Sequence, residues 1–186
     1  MVRKNERMFE KMNITPLGLQ ILTFLARNPD KQFYIRELAK NMDKSVGGTH
    51  KTLKSLKDMD FIKENKSGKN IYYQMNQMNP SIKNFKIFVT INELTILVNK
   101  LKKISEKIIL FGSCAYGEDT AESDIDLLVL TNEKDKVNKK ILNFKFNRKI
   151  QAVVVNAGDL IKIKEKDKGF YQEVNRGITL WHDKNE

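Results

Sequence analysis

Two short stretches, Phe111-Gly112-Ser113 and Asp124-Ile125-Asp126, decide the fold of the C-terminal half of the chain, and ten residues separate Ser113 from Asp124. Lys107 to Phe111 (Lys-Ile-Ile-Leu-Phe) predicts a buried strand that ends in a Gly-Ser turn. Ile125 to Leu130 (Ile-Asp-Leu-Leu-Val-Leu) is apolar on both faces, which predicts a second strand at the centre of a covered sheet.

These two motifs offer carboxylates, backbone N–H groups and a hydroxyl, which are the kinds of group that bind a metal–nucleotide complex. Alternate residues of a strand point to the same side, so Asp124 and Asp126 are expected to lie together at the start of the second strand. Adjacent carboxylates repel each other unless a divalent cation lies between them. The Gly112-Ser113 turn offers backbone N–H groups and a hydroxyl to phosphate oxygens. The alternative interpretation is an ordinary turn followed by two solvated carboxylates.

Together the turn, the spacing and the Asp-x-Asp pair resemble the signature of the DNA polymerase β-like nucleotidyltransferase superfamily in its minimal form, from Ile104 to about Leu180. The resemblance implies that Asp124 and Asp126 are catalytic and hold Mg²⁺ or Mn²⁺. It also implies that Gly112 and Ser113 bind the phosphates of an NTP, with ATP the expected substrate. A nucleoside monophosphate would then pass to a hydroxyl acceptor. Minimal members often act with a small helical protein in toxin–antitoxin-like pairs.

The chain departs from this family pattern at two places. Family members usually present a third carboxylate from the next strand, where this chain has Gln151. Many also have a basic residue inside the ten-residue loop, where this chain has Cys114 and Tyr116. The departures leave open a second interpretation, a transcriptional regulator whose degenerate transferase domain only binds nucleotide or a partner protein. Three acidic residues could replace the missing carboxylate: Glu118, Asp119 and Glu122.

The N-terminal half has the pattern of a winged helix-turn-helix. Thr15-Pro16 predicts a capped helix start, and Ser45 predicts the cap of a third helix. The full predicted order is a helix up to Asn28, a strand at Gln32–Tyr34, a helix at Ile35–Met42, the third helix, and strands at 61–65 and 71–75. The segment from Ser45 to Met75 resembles the winged helix-turn-helix transcription factors of archaea and bacteria.

In that family the third helix enters the major groove of double-stranded DNA, and the wing touches the DNA backbone or the minor groove. The residues expected to face DNA are Gly47, Gly48, Thr49, His50, Lys51 and Lys54 on the helix, with Lys66 and Lys69 on the wing. The two glycines suggest a close backbone approach, either to DNA or to the second helix. The alternative is that the winged domain makes protein contacts only.

The expected fold class is α+β in two domains. The winged domain is predicted at residues 1–79, a helical connector at 80–103, and a mixed α/β transferase domain with a small central sheet at 104–186. Two helices are expected in the connector, because Thr90-Ile91-Asn92-Glu93 has the form of a capping box. The apolar surplus of the connector favours domain packing or a homodimer interface.

Composition and charge bound the possible functions. The 186 residues contain 34 Lys and Arg against 23 Asp and Glu, a net charge of +11. Residues 1–100 hold 18 Lys and Arg against 9 Asp and Glu, so most of the positive surplus lies in the half predicted to bind DNA. A single cysteine excludes an internal disulfide and favours a reducing cytoplasm. No stretch reaches the ~18 apolar residues of a membrane span.

Overall fold

The computed structural model describes residues 14–183, and the chain divides into two compact units between Lys83 and Asn84. Both units mix helices with one small sheet, so the fold is α+β. Residues 1–13, the start of the predicted winged domain, lie outside the described residues. Within residues 14–183, no helix combines the length and the apolar character needed to cross a lipid bilayer.

The first unit contains the elements predicted for a winged helix-turn-helix, in the predicted order. Its three-stranded antiparallel sheet has the order β1-β3-β2. The elements are α1 (Pro16–Ala26), β1 (Phe33–Tyr34), α2 (Ile35–Asn41), α3 (Val46–Asp58), β2 (Ile62–Ser67) and β3 (Asn70–Met75).

Both predicted helix caps of this unit are present. The Thr15 hydroxyl accepts a hydrogen bond of 3.1 Å from the Gly18 N–H, and the Ser45 hydroxyl accepts one of 3.1 Å from the Gly48 N–H. Each bond satisfies a backbone donor that has no partner within its helix. The caps therefore set where α1 and α3 begin, and the buried faces of these helices follow from there: Ile21, Leu22, Leu25, Leu53 and Leu56.

The connector forms one continuous helix, α4 (Pro80–Leu101), and the predicted break at Thr90 is wrong. Thr90 is fully buried, as are Leu94, Leu97 and Leu101 at helical spacing after it. The capping-box pattern at Thr90 does not start a separate helix, because the apolar face continues through it and the packing of that face outweighs the local signal. Phe88, one of the apolar residues of the connector, is 59% exposed.

The second unit contains a mixed four-stranded sheet with the order β6-β5-β4-β7. Strand β4 is antiparallel to β5 and β7, whereas β5 and β6 are parallel. The elements are β4 (Lys107–Phe111), α5 (Ser113–Tyr116), β5 (Ile125–Leu130), α6 (Lys134–Leu142), β6 (Ile150–Val155), α7 (Ala157–Lys166), α8 (Lys168–Asn175) and β7 (Ile178–His182). Strand β7 was not predicted, and His182 lies at its end.

Strand β5 is central and covered on both faces, as its double apolar pattern predicted. On one face Leu127 and Val129 belong to a cluster that includes Leu97 and Leu101 of α4. On the opposite face Leu128 belongs to a cluster with Phe111, Val155 and Val174, the last of these on α8. Asp126 alternates with Leu127, so it lies on the same face as Leu128. The fold therefore points this carboxylate toward the face that α8 covers.

Candidate active site

The Gly-Ser turn and the Asp pair meet where β4 ends and β5 begins. The antiparallel register places Phe111 opposite Asp126, so Gly112 passes directly over the carboxylate. Gly112 has φ +66° and ψ −160°, a conformation that essentially only glycine adopts. A β-carbon at this position would lie 2.5 Å from Oδ2 of Asp126. The glycine of the motif is thus required both by backbone conformation and by space.

Asp124, Asp126 and Gln151 lie close together on adjacent strands. Asp124 directly precedes β5, and the parallel register of β5 and β6 pairs Asp126 with Gln151. The Asp124 side chain is 32% exposed, and its Oδ2 lies 2.9 Å from the Nζ atom of Lys149. The lysine partly neutralises one carboxylate of the pair. Ser113, the first residue of α5, is half-buried beside the same turn.

The pKa of Asp126 is raised above its ordinary value of 3.8. Burial is the largest cause, followed by the negative charges of Asp124 and Glu173 on α8, while the Lys149 ammonium opposes the shift. A second negative charge in such a setting is stabilised when a cation binds. The site therefore concentrates negative charge beside a turn that only glycine can form.

Comparison with protein families identifies the fold of this site. The family model described as "Polymerase beta, Nucleotidyltransferase" matches residues 92–186, more than half of the chain. The chain belongs to the polymerase β nucleotidyltransferase family. The match contains both strands of the site and both of its motifs, the Gly-Ser turn and the Asp pair. No curated protein matches the sequence.

Solved structures with similar parts include both kinds of domain. The homodimeric winged helix-turn-helix DNA-binding domain of Mb0332 from Mycobacterium bovis is 16% identical, with a TM-score of 0.40, over 51% of this chain and 83% of that one. The adhesin competence repressor of Streptococcus pyogenes is 20% identical, with a TM-score of 0.38, over 56% and 78%. A Sulfolobus solfataricus protein assigned as a nucleotidyltransferase is 17% identical, with a TM-score of 0.38, over 55% and 89%.

The structure excludes one of the three acidic residues suggested as replacements for the third carboxylate of the nucleotidyltransferase pattern. Asp119 is 1% exposed, and its carboxylate lies 2.9 Å from Arg148 and 3.4 Å from Lys86. A buried carboxylate held by two cations is not available to a metal at the Asp pair. Glu118 and Glu122 are exposed. Sequence reasoning missed Lys149 and Glu173, because neither belongs to the motifs that the resemblance uses.

The donor set fits a magnesium ion that arrives with a nucleotide. Among residues 14–183, no three His, Cys, Asp or Glu side chains gather into a site that could hold a metal alone. Mg²⁺, however, is commonly bound by one or two carboxylates together with substrate phosphates. Asp124 and Asp126 supply the two carboxylates on one face. The Gly112 turn lies directly beside them, since a β-carbon on this residue would be 2.5 Å from Oδ2 of Asp126.

Cys114, in the loop between the two motifs, is not placed to act as a nucleophile. Its side chain is fully buried, and burial raises the pKa of its thiol. A thiol in this state is a weak nucleophile.

Seven of the eight residues predicted to face DNA are exposed on the first unit. Thr49 is the exception: it was expected to face DNA, but its side chain is fully buried and donates a hydrogen bond of 2.9 Å to the Ser45 carbonyl. A β-carbon on Gly47 would contact nothing within 4 Å, so packing against α2 does not explain that glycine. The seven exposed residues are Gly47, Gly48, His50, Lys51, Lys54, Lys66 and Lys69.

Proposed function

We propose that this chain is a DNA-binding nucleotidyltransferase that transfers a nucleoside monophosphate from Mg-NTP, with ATP the expected donor, to a hydroxyl acceptor. One observation supports this most directly: Gly112 lies so close to Asp126 that a β-carbon there would be 2.5 Å from a carboxylate oxygen, so the turn and the Asp pair form one site. Family membership supports the reaction type. Mn²⁺ would serve in place of Mg²⁺, because both are bound by oxygen ligands.

Each residue of the site has a defined role in this proposal. Asp124 and Asp126 hold the metal of the Mg-nucleotide, and the bound metal supplies charge neutralisation at the phosphates. Backbone N–H groups and the hydroxyl of the Gly112-Ser113 turn bind the phosphate oxygens. Lys149, 72% exposed beside Asp124, adds an ammonium group that would bind a phosphate oxygen in place of the Asp124 carboxylate.

A second candidate function is favoured by Gln151. It is the β6 residue paired with Asp126, where the family pattern has a carboxylate, and an amide cannot accept a proton from an attacking hydroxyl. In this alternative the transferase unit binds nucleotide or a helical partner protein of the toxin–antitoxin type without turnover. The chain would then act as a winged-helix transcriptional regulator.

The winged unit is proposed to bind double-stranded DNA through the exposed residues of α3 and the wing. The lysines of this set act as point charges on phosphates, which favours affinity over base reading. We further propose that the binding unit is a homodimer. Phe88 and Ile96 of α4 are 59% and 62% exposed, and such apolar exposure favours association with a second copy.

The nucleotide site is tested by thermal melting of the full chain with and without Mg-ATP. A ligand that binds only the folded state raises the melting temperature, so we expect a Mg-dependent rise for the wild type. The double variant Asp124→Asn/Asp126→Asn should remain folded and lose the rise. A matched control, Asp135→Asn/Glu165→Gln, removes two exposed negative charges outside the site and should keep it. Equal rises in all three proteins would reject the site.

Turnover separates the two candidate functions. The wild type is incubated with labelled NTPs, Mg²⁺ or Mn²⁺, and total cell protein or RNA. Metal-dependent labelling that the double variant lacks identifies the enzyme and its acceptor class. A protein that binds Mg-ATP but labels nothing supports the regulator.

A further inference from the structure

A buried cluster of charged side chains anchors the loop that joins the Gly-Ser turn to the Asp pair. The side chains of Lys86, Asp119 and Arg148 are 1%, 2% and 9% exposed. Lys86, on α4, donates to the backbone carbonyl of Asp119 and lies 3.4 Å from its Oδ1. Arg148, two residues before β6, donates from Nη1 to Asp119 Oδ2 at 2.9 Å. The cluster therefore ties the loop to α4 and to the segment that precedes β6.

Arg148 also binds the backbone next to Asp124. Its Nε and Nη2 atoms donate to the carbonyl oxygen of Ser123 at 3.0 and 2.9 Å. Nη2 also donates to Sγ of Cys114 at 3.2 Å, and the Cys114 thiol donates to the Asp124 carbonyl at 3.4 Å. The carbonyl groups on both sides of the Asp124 α-carbon are thus held by one arginine and the cysteine that it contacts.

Stability alone does not explain this arrangement. Removing two cations and a carboxylate from water costs free energy that their mutual attraction only partly offsets, and apolar residues of similar size often stabilise as well or better. A planar guanidinium with several donors is, in contrast, well suited to fix the geometry of the groups around it. The family pattern has a basic residue in this loop, and here a cation reaches Cys114 from outside the loop.

We propose that Arg148 is a positioning residue for Asp124, held in place by Asp119, and that this geometry sets the affinity of the site for Mg-nucleotide. The inference rests on the proposed function for its ligand. Arg148 touches neither carboxylate of the Asp pair in the structure, so its effect passes through the backbone of residues 123 and 124. Residues that orient the ligands of a metal typically change its affinity by about 10- to 100-fold.

The test uses the full chain and three variants. Arg148→Lys retains the charge but cannot reach Asp119 and the Ser123 carbonyl together, and Asp119→Asn releases the guanidinium. Arg176→Lys is the control, since Arg176 is an exposed arginine of the same unit. Two quantities are measured: the Mg-dependent Kd of a fluorescent ATP analogue, and the hydrogen exchange of residues 113–124 without nucleotide, with β5 as internal reference.

We expect Arg148→Lys and Asp119→Asn to weaken Mg-nucleotide binding by about 10-fold or more and to accelerate exchange in the loop, while β5 and the control variant do not change. A lower melting temperature with unchanged Kd and unchanged loop exchange would show a merely structural role. A change in only one of the two quantities, when the wild type binds nucleotide, would also overturn the proposal.

The exchange measurement separates this inference from the proposed function. If the wild type does not bind Mg-nucleotide but Arg148→Lys accelerates loop exchange, the positioning role is retained and the nucleotide site is rejected. If loop exchange is unchanged, the positioning role is rejected whether or not nucleotide binds.

Discussion

Gly112 and Asp126 are so close that a single added β-carbon would lie 2.5 Å from a carboxylate oxygen. Because Gly112 also has a positive φ of +66°, Gly112→Ala is expected to destabilise the chain by at least about 1–3 kcal/mol from the backbone alone. It should also displace Asp126 and abolish the Mg-ATP-dependent rise in melting temperature.

Urea denaturation of the full chain, followed by melting with Mg-ATP, measures both effects. Gly158→Ala is the control, because its β-carbon would have an ordinary contact at 3.4 Å. A stable Gly112→Ala variant with normal nucleotide binding would contradict the role of the turn.

The raised pKa of Asp126 predicts a pH dependence of binding. Affinity for Mg-nucleotide should fall as the pH falls through this raised pKa, above the pH at which an aspartate with the ordinary pKa of 3.8 is protonated. Glu173→Gln removes one cause of the shift, so the loss should move to lower pH. Glu165→Gln, on α7, should leave the profile unchanged. Nucleotide titrations at a series of pH values provide the measurement, and identical wild-type and Glu173→Gln profiles would exclude the electrostatic coupling.

The raised pKa of Asp126 also predicts a pH dependence of folding stability, and its direction is opposite to that of nucleotide binding. An acid whose pKa is higher in the folded state stabilises the fold when protonated, and this contribution is lost as the pH rises through the folded-state pKa. Asp126→Asn is therefore expected to be more stable than the wild type at neutral pH without metal. The difference should shrink in acid. Urea denaturation of both proteins at neutral and at acidic pH measures this difference. An Asp126→Asn variant less stable than the wild type at neutral pH would contradict the prediction.

Gln151→Asp would place a third carboxylate beside Asp126, its register partner. Added like charge should lower stability without metal, while metal binding should restore it. We expect a larger Mg²⁺-dependent rise in melting temperature than in the wild type, and increased or new nucleotide transfer. Asn138→Asp on α6 is the matched exposed control. Weaker transfer from a folded Gln151→Asp protein would show that the glutamine has its own role.

The exposed lysines of α3 predict salt-dependent DNA binding. Lys51→Ala/Lys54→Ala should lower affinity for duplex DNA and reduce the salt dependence by about one unit per lost phosphate contact. Lys139→Ala/Lys140→Ala removes equal charge from exposed positions of α6 and should have little effect. Fluorescence anisotropy at several salt concentrations measures both slopes. Equal slopes for the two double variants would favour the protein-contact interpretation of the winged unit.

Local patterns in the sequence predicted most of the fold, because the relevant signals are short-range. The caps Thr15 and Ser45 and the apolar character of both faces of β5 depend only on neighbouring residues, and the structure contains all three features. The spacing between Ser113 and Asp124 likewise predicted the fold of the second unit, since it requires a turn and two strands to fit together. Family membership over residues 92–186 agrees with it.

Tertiary structure decided those features of the fold and of the site that depend on residues distant in sequence. Thr90 has a local capping signal, but burial of its helix face continued α4 through it. Thr49 became part of the core, and β7 forms because β4 offers an edge to pair with. The clamp from Arg148 to the Ser123 carbonyl joins residues 25 apart, and no periodicity or motif marks such a contact. Sequence patterns determine which local structures are favoured, whereas packing and burial decide which of them persist and which charged groups meet.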